Sequence, residues 1–306
     1  MKTKEITSEK LEKVLNTEFS DDLKDRISKH RMYYKKLSVK ERDQYILNCF
    51  NVLNSDIEKA GKHRIDRWND GWKENFDEFL TTGNINSLIP KYHGKHKYLH
   101  WKGDIIKPVT KNLDYYLHVI LIDWVFEKYL SDVDNLFEFG CGPAYHLLRY
   151  KNVNSRAKLI GLDWAKSSQD IISLIREFGL NYNIKGYNFD FFNPDYSIDI
   201  PENSGIYTVA AIEQIGDKYG PFLDYLLEKK PKICVNIEPI SEILDETKLI
   251  DKLSIEYFKK RNYLENYLNK LEELEKQNKI KIINKQRTYM GSEFIEGHSL
   301  VVWKII

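Results

Sequence analysis

The sequence predicts an α/β fold: a doubly wound, mostly parallel sheet with a C-terminal antiparallel hairpin, preceded by an N-terminal helical cap. Three observations carry this. Strand-like and helix-like runs alternate from residue 135 onward, and strands joined by crossover helices pair in parallel. A glycine turn, Gly140-Cys-Gly142, sits between an apolar strand and a helix start. The chain closes on two β-like runs, Ile280–Met290 and Ser299–Ile305, joined by Gly291-Ser-Glu-Phe-Ile-Glu-Gly-His298.

Residues 1 to about 90 read as helical. Ser8 and Ser38 each stand where an N-cap belongs, with apolar residues at helical spacing behind them. Trp68, Trp72 and Phe76 are four apart, which reads first as a buried helix stripe and second as a platform for sugar rings. Residues 81–110 read as loop, broken by Gly83, Pro90, Gly94, Gly103 and Pro108. Leu113–Leu130 is an apolar helix that should pack on the sheet. The boundary is therefore drawn at 110, with 1–110 as cap and lid region and 111–306 as the sheet domain.

Strands are expected near 135–140, 158–163, 184–190, 205–211 and 232–238, and helices near 144–151, 167–179 and 218–229. The connection after Asp190 is rich in Pro, Asp, Asn and Ser and lacks the pattern of a full helix. Residues 242–279 read as one long, charge-rich helical stretch.

The strand ends carry the chemistry. Leu136-Phe-Glu-Phe-Gly-Cys-Gly142 ends a strand in Glu138 and turns at Gly140 and Gly142, where a β-carbon would block close approach and the turn needs positive φ. A dinucleotide fingerprint would place a third Gly or Ala where Tyr145 stands. The second and third strands end in Asp163 and Asp190. Acids at three successive strand ends resemble the class I S-adenosylmethionine (SAM) methyltransferases. The match runs from about Asn135 to the C-terminus, and the antiparallel last strand belongs to that Rossmann-like methyltransferase sheet too. The resemblance implies SAM as cofactor. Glu138, Gly140, Cys141 and Gly142 would hold its methionine part, Asp163 its ribose hydroxyls, and Trp164, Asp190 and Phe191 its adenine. Ala211, at the fourth strand edge, would approach it closely. Each acid also has a structural reading: Glu138 as a loop-fixing acid, Asp163 as a helix cap, Asp190 as a turn acid.

Methyl transfer to a hydroxyl needs alignment, exclusion of water and a base for the proton. Glu213, Glu238 and His298 stand at the right edge for catalysis, with His298 the natural base at neutral pH. Glu213 and Gln214 read equally as helix caps, and His146 as helix surface or a lid contact. The Asn/Asp-Pro-Pro-Tyr motif of amino-methylating relatives is absent from the fourth strand end. The closing segment looks like that of bacterial proteins described as sugar O-methyltransferases. A saccharide or similar small hydroxyl acceptor is the first expectation. An N-methyltransferase for an amine metabolite or protein side chain is the second, and a non-catalytic SAM-binding scaffold the third; intact Gly140, Gly142, Asp163 and Asp190 argue against the last.

Composition excludes other classes. Net charge is +1, which does not suit a protein built on phosphate-backbone attraction, so no nucleic acid partner is expected. The three cysteines (Cys49, Cys141, Cys234) lie far apart, without disulfide or zinc spacing, which points to a reducing cytoplasm. No run approaches membrane-spanning length, so no insertion is expected. His93, His96 and His100 lie in a Gly-broken loop with no acid until Asp104. That is poor metal-ligand geometry, so no metal is expected, and the segment reads either as a lid over cofactor and substrate or as an ordinary surface linker.

Overall fold

The computed structural model describes residues 2–181 and 183–306. Seven strands form the main sheet: β1 Asn135–Phe139, β2 Lys158–Asp163, β3 Ile184–Asn188, β4 Ser204–Val209, β5 Ile233–Glu238, β6 Ile280–Gln286 and β7 Ser299–Ile305. Their order is β3-β2-β1-β4-β5-β7-β6. The first five are mutually parallel, and β7 runs antiparallel to both β5 and β6. The sequence between β3 and β4 forms no helix among the described residues. This is the doubly wound, mostly parallel sheet expected from the sequence, with its antiparallel hairpin at the β5 edge.

Alternation along each strand sorts side chains into two cores, because successive residues point to opposite faces. Leu136, Tyr207, Val235, Ile237, Leu300 and Val302 face one way. They pack with the helix Leu113–Tyr129, whose Phe126 ring meets Tyr207 edge-on at 5.1 Å, and with cap residues such as Leu11, Leu23 and Phe79. Phe137, Phe139, Ile206, Cys234, Val301 and Trp303 face the other way, against the helices Gly220–Lys229 and Tyr267–Lys276. A sheet buried on both faces explains why its strands read as near-continuous apolar runs.

Three expectations need correction. The cap is not purely helical, and 81–110 is not only loop. Leu99–Trp101 and Asp104–Pro108 pair across a two-residue turn at Lys102-Gly103, both with positive φ (57° and 73°). That backbone favours glycine and suits a tight hairpin. This hairpin joins Tyr33–Lys36, Lys4–Glu5 and Met290–Gly291 in a second, five-stranded sheet. The 242–279 stretch is also not one helix. It breaks between Leu249–Arg261 and Tyr267–Lys276, where Asn262 and Asn266 take φ of 54° and 56°. Asparagine tolerates this left-handed region better than most residues.

Candidate active site

The carboxyl ends of β1, β2 and β4 open on a cleft of about 480 Å³. Its floor is the turn after β1. Gly140 has φ +77°, and a β-carbon there would sit 2.3 Å from the Ala211 Cβ. Gly142 has φ +49°, and a β-carbon there would lie 2.9 Å from Cζ2 of Trp72 on the cap helix Ile65–Thr82. Both glycines are thus required by protein neighbours as well as by backbone conformation.

Glu138, at the end of β1, is buried and lines the cleft. Its Oε1 lies 2.8 Å from Nδ1 of His146; its Oε2 makes no direct hydrogen bond, and the buried Tyr207 hydroxyl, also unpartnered, stands beside the Glu138 carboxylate. Asp163, ending β2, accepts the Gly142 N–H on Oδ2 and the Ala165 N–H on Oδ1, each at 2.8 Å. Burial pushes its carboxyl up to about 6, against the lowering effect of those two donors. Cys141, Trp164, Phe191, Ala210 and Ala211 also line the cleft. Trp164 lies near-parallel to Phe192, centroids 6.4 Å apart.

Asp190 is placed differently: it does not line the cleft. Its Oδ2 pairs with Nζ of Lys62 at 2.6 Å, and its Oδ1 accepts the Phe192 N–H at 2.9 Å. Glu238 also stands outside. It is fully buried, and its oxygens accept backbone N–H groups of Ala211, Ile212 and Glu213 at 3.1, 3.4 and 3.3 Å. Burial pushes its carboxyl up to about 7.

The remaining catalytic candidates share the cleft. Glu213 is buried; its Oε1 accepts from Gln214 at 2.8 Å, and its Oε2 has no hydrogen-bond partner. Burial, then the charge of Glu238, holds its carboxyl well above the ordinary range. His298 Nε2 lies 3.9 Å from Glu213 Oε2, and burial lowers the His298 imidazole to about 4, so it is neutral.

The histidine-rich segment divides. His93 and His96 line the cleft, whereas His100 is buried in the cap with Nε2 3.0 Å from the Tyr45 hydroxyl. Among the described residues no group of three or more His, Cys, Asp or Glu is arranged to hold a metal ion. The aromatic stripe divides as well. Trp68 and Trp72 stack at 5.5 Å on the cleft wall, while Phe76 packs on the core.

Sequence reasoning missed part of the wall. Asp114 and His118 come from the apolar helix Leu113–Tyr129; two polar residues four apart in that run were the available signal. Met290, read as the end of a strand, and 291–295, read as part of a hairpin connector, form another wall, with Tyr257 and Tyr263 beside them. Nothing local in the sequence marked these, since their place depends on Met290–Gly291 pairing with Leu99–Trp101.

No family model matches the chain, and no curated protein matches it in sequence. Solved structures resemble it at low identity. A small RNA methyltransferase, HEN1, is 15% identical over 62% of this chain and 25% of its own, with TM-score 0.48. An O-methyltransferase from neocarzinostatin biosynthesis, NcsB1, in complex with S-adenosyl-L-homocysteine and 1,4-dihydroxy-2-naphthoic acid, is 13% identical over 79% of this chain and 70% of its own, TM-score 0.43. The [4+2]-cyclase SpnF is 14% identical over 82% and 99%, TM-score 0.47. This chain therefore spans a quarter of the length of the HEN1 structure.

Proposed function

We propose that the chain is a SAM-dependent methyltransferase whose acceptor is a hydroxyl on a small molecule, with a saccharide as first choice. The observation that carries this is the pairing of Glu138 and Asp163 at adjacent strand ends of one cleft, the first with a buried, unpartnered oxygen. A buried carboxylate oxygen without a donor is costly, and a cofactor ammonium is a fitting donor for it. Asp163 keeps lone pairs beyond its two backbone bonds, which suits two vicinal hydroxyls. Trp164 and Phe191 offer ring faces for adenine. Asp190 holds Lys62 beside Phe192, closing that end with a cap residue.

When bound, SAM supplies a methyl group already activated on a sulfonium. The chain's own work is alignment, desolvation and proton handling. Trp68, Tyr257 and Tyr263 present aromatic surface to the acceptor side, as a sugar face would require. Neutral His298 and the free Oε2 of Glu213 are placed to orient a hydroxyl. Glu238 acts through the backbone it fixes and is a positioning residue.

Purified chain with methyl-labelled SAM, offered mono- and oligosaccharides in one arm and amines in another, tests the reading. Label in the saccharide arm is expected, at an ether oxygen by mass fragmentation. Label confined to amines would overturn the hydroxyl assignment, and calorimetry with no binding of S-adenosylhomocysteine (SAH) would overturn the cofactor.

A further inference from the structure

One wall of the cleft holds two histidines, His118 and His146, that the roles above leave unused. His146 stands on the helix Tyr145–Tyr150, directly after the glycine turn, and Glu138 Oε1 lies 2.8 Å from its Nδ1. On its other side, His146 Nε2 lies 3.3 Å from His118 Nε2. A carboxylate only accepts, so His146 Nδ1 carries the hydrogen. The Nε2 of neutral His146 is then a lone pair, and His118 Nε2 must be the donor to it. That leaves the lone pair of His118 on Nδ1, which makes no hydrogen bond to a described residue, and both histidines line the cleft.

We infer that His118 and His146, backed by Glu138, form a two-imidazole relay that takes the proton of the acceptor hydroxyl. The inference deepens the proposed methyltransferase reading and rests on it. Methylation of a hydroxyl releases one proton. The O–H bond breaks with its electron pair left on oxygen, and the proton forms an N–H bond at His118 Nδ1. The Nε2–H of His118 then passes to His146 Nε2. The positive charge ends on His146, in contact with the Glu138 carboxylate.

The surroundings explain why two rings are needed. Burial first, and then the always-charged Arg149, disfavour a positive charge on His118; the imidazoles of His146, His93 and His298 also face it and add repulsion only when protonated. His93, from the lid segment, has its own carboxylate, Asp114, 3.3 Å from Nδ1. His298 comes from the loop before β7, and Arg149 from the helix that carries His146. Alone, His118 would be a poor base. Coupled to His146, it hands the charge to the ring that has a counter-ion, and the pair is a stronger base than His118 alone. A metal cage is not the better account, because no three ligating groups converge among the described residues. An amine acceptor that arrives neutral would not need the relay before transfer; a hydroxyl does.

The test is nitrogen-15 imidazole NMR of the full chain, with and without saturating SAH. Expected are an Nδ1–H tautomer for His146, an Nε2–H tautomer for His118, and one shared midpoint for both rings as pH falls. Glu138→Gln should lower that midpoint by about one pH unit, a tenfold loss in proton affinity. If that variant fails to fold, His118→Phe should move the His146 midpoint while leaving its Nδ1–H tautomer. SAH binding with the two rings titrating independently, or in other tautomers, overturns the relay alone. Stoichiometric Zn²⁺ binding that broadens both rings overturns it in favour of a metal site. Failure of SAH to bind the wild type overturns the methyltransferase reading, and the relay with it.

Discussion

At the scale of single residues, buried carboxyl groups divide the labour in this cleft. Glu238 spends its acceptors on the backbone of 211–213, Glu138 keeps one oxygen free, and Asp163 keeps spare lone pairs. Asp163→Ala is expected to lower SAH affinity by about 1.5–3 kcal/mol, the worth of a hydrogen bond to a charged group. Unchanged affinity by calorimetry would remove Asp163 from the cofactor site. The sign of its pH dependence follows from burial, which raises the folded carboxyl to about 6. It is ionised and fully accepting above that value and becomes protonated below it. SAH affinity should therefore weaken as pH falls from 7.5 to 5, and Asp163→Asn should flatten that slope. For folding the raised value acts in the opposite sense. Between the ordinary carboxylate range and about 6 the unfolded chain ionises first, so this group's contribution to stability falls as pH rises through that window. Asp163 was legible in the sequence because a strand-end acid is a local signal. Glu238 looked the same from sequence; both carboxyls accept backbone N–H groups, and what separates them is that Asp163 lines the cleft and Glu238 does not.

At the scale of elements, the glycine turn is locked between two neighbours. Gly140→Ala would place a methyl group 2.3 Å from the Ala211 Cβ at φ +77°. Left-handed backbone costs a non-glycine residue about 1–2 kcal/mol, and the clash forces apart the loops after β1 and β4. The variant is expected to lose at least 2 kcal/mol of stability in urea titration, at about the sum of these costs, and to lose SAH binding at a temperature where it is still folded. Retained SAH affinity would show that the two loops can separate without harm to the site. The turn itself was legible in the sequence. Its partners were not, because Ala211 and Trp72 arrive from a distant strand end and from the cap.

At the scale of the molecule, one hydrophobic core joins both sides of residue 110. Leu11, Leu23, Phe79 and Leu99 share it with Leu117, Tyr207 and Leu300, and Met290–Gly291 adds a strand to the cap's sheet. A shared core couples unfolding, since neither side can open without exposing apolar surface of the other. Urea unfolding is expected to give one transition, coincident by tryptophan fluorescence and far-ultraviolet circular dichroism. Two separated transitions would show that the cap folds on its own.

By itself the sequence determined the alternation of the main sheet, the glycine turn, the acids at the strand ends and the antiparallel last strand. Each is written in residues that are neighbours in the chain, where periodicity and steric preference act directly. Only the tertiary structure decided which acids face the cleft, that the cap contains a sheet, and that His118 meets His146. These depend on contacts between residues far apart in sequence. Lys62 reaches Asp190, and His118 on one helix meets His146 on another. Local pattern carries no record of such pairings, because they are selected by the packing of the whole chain.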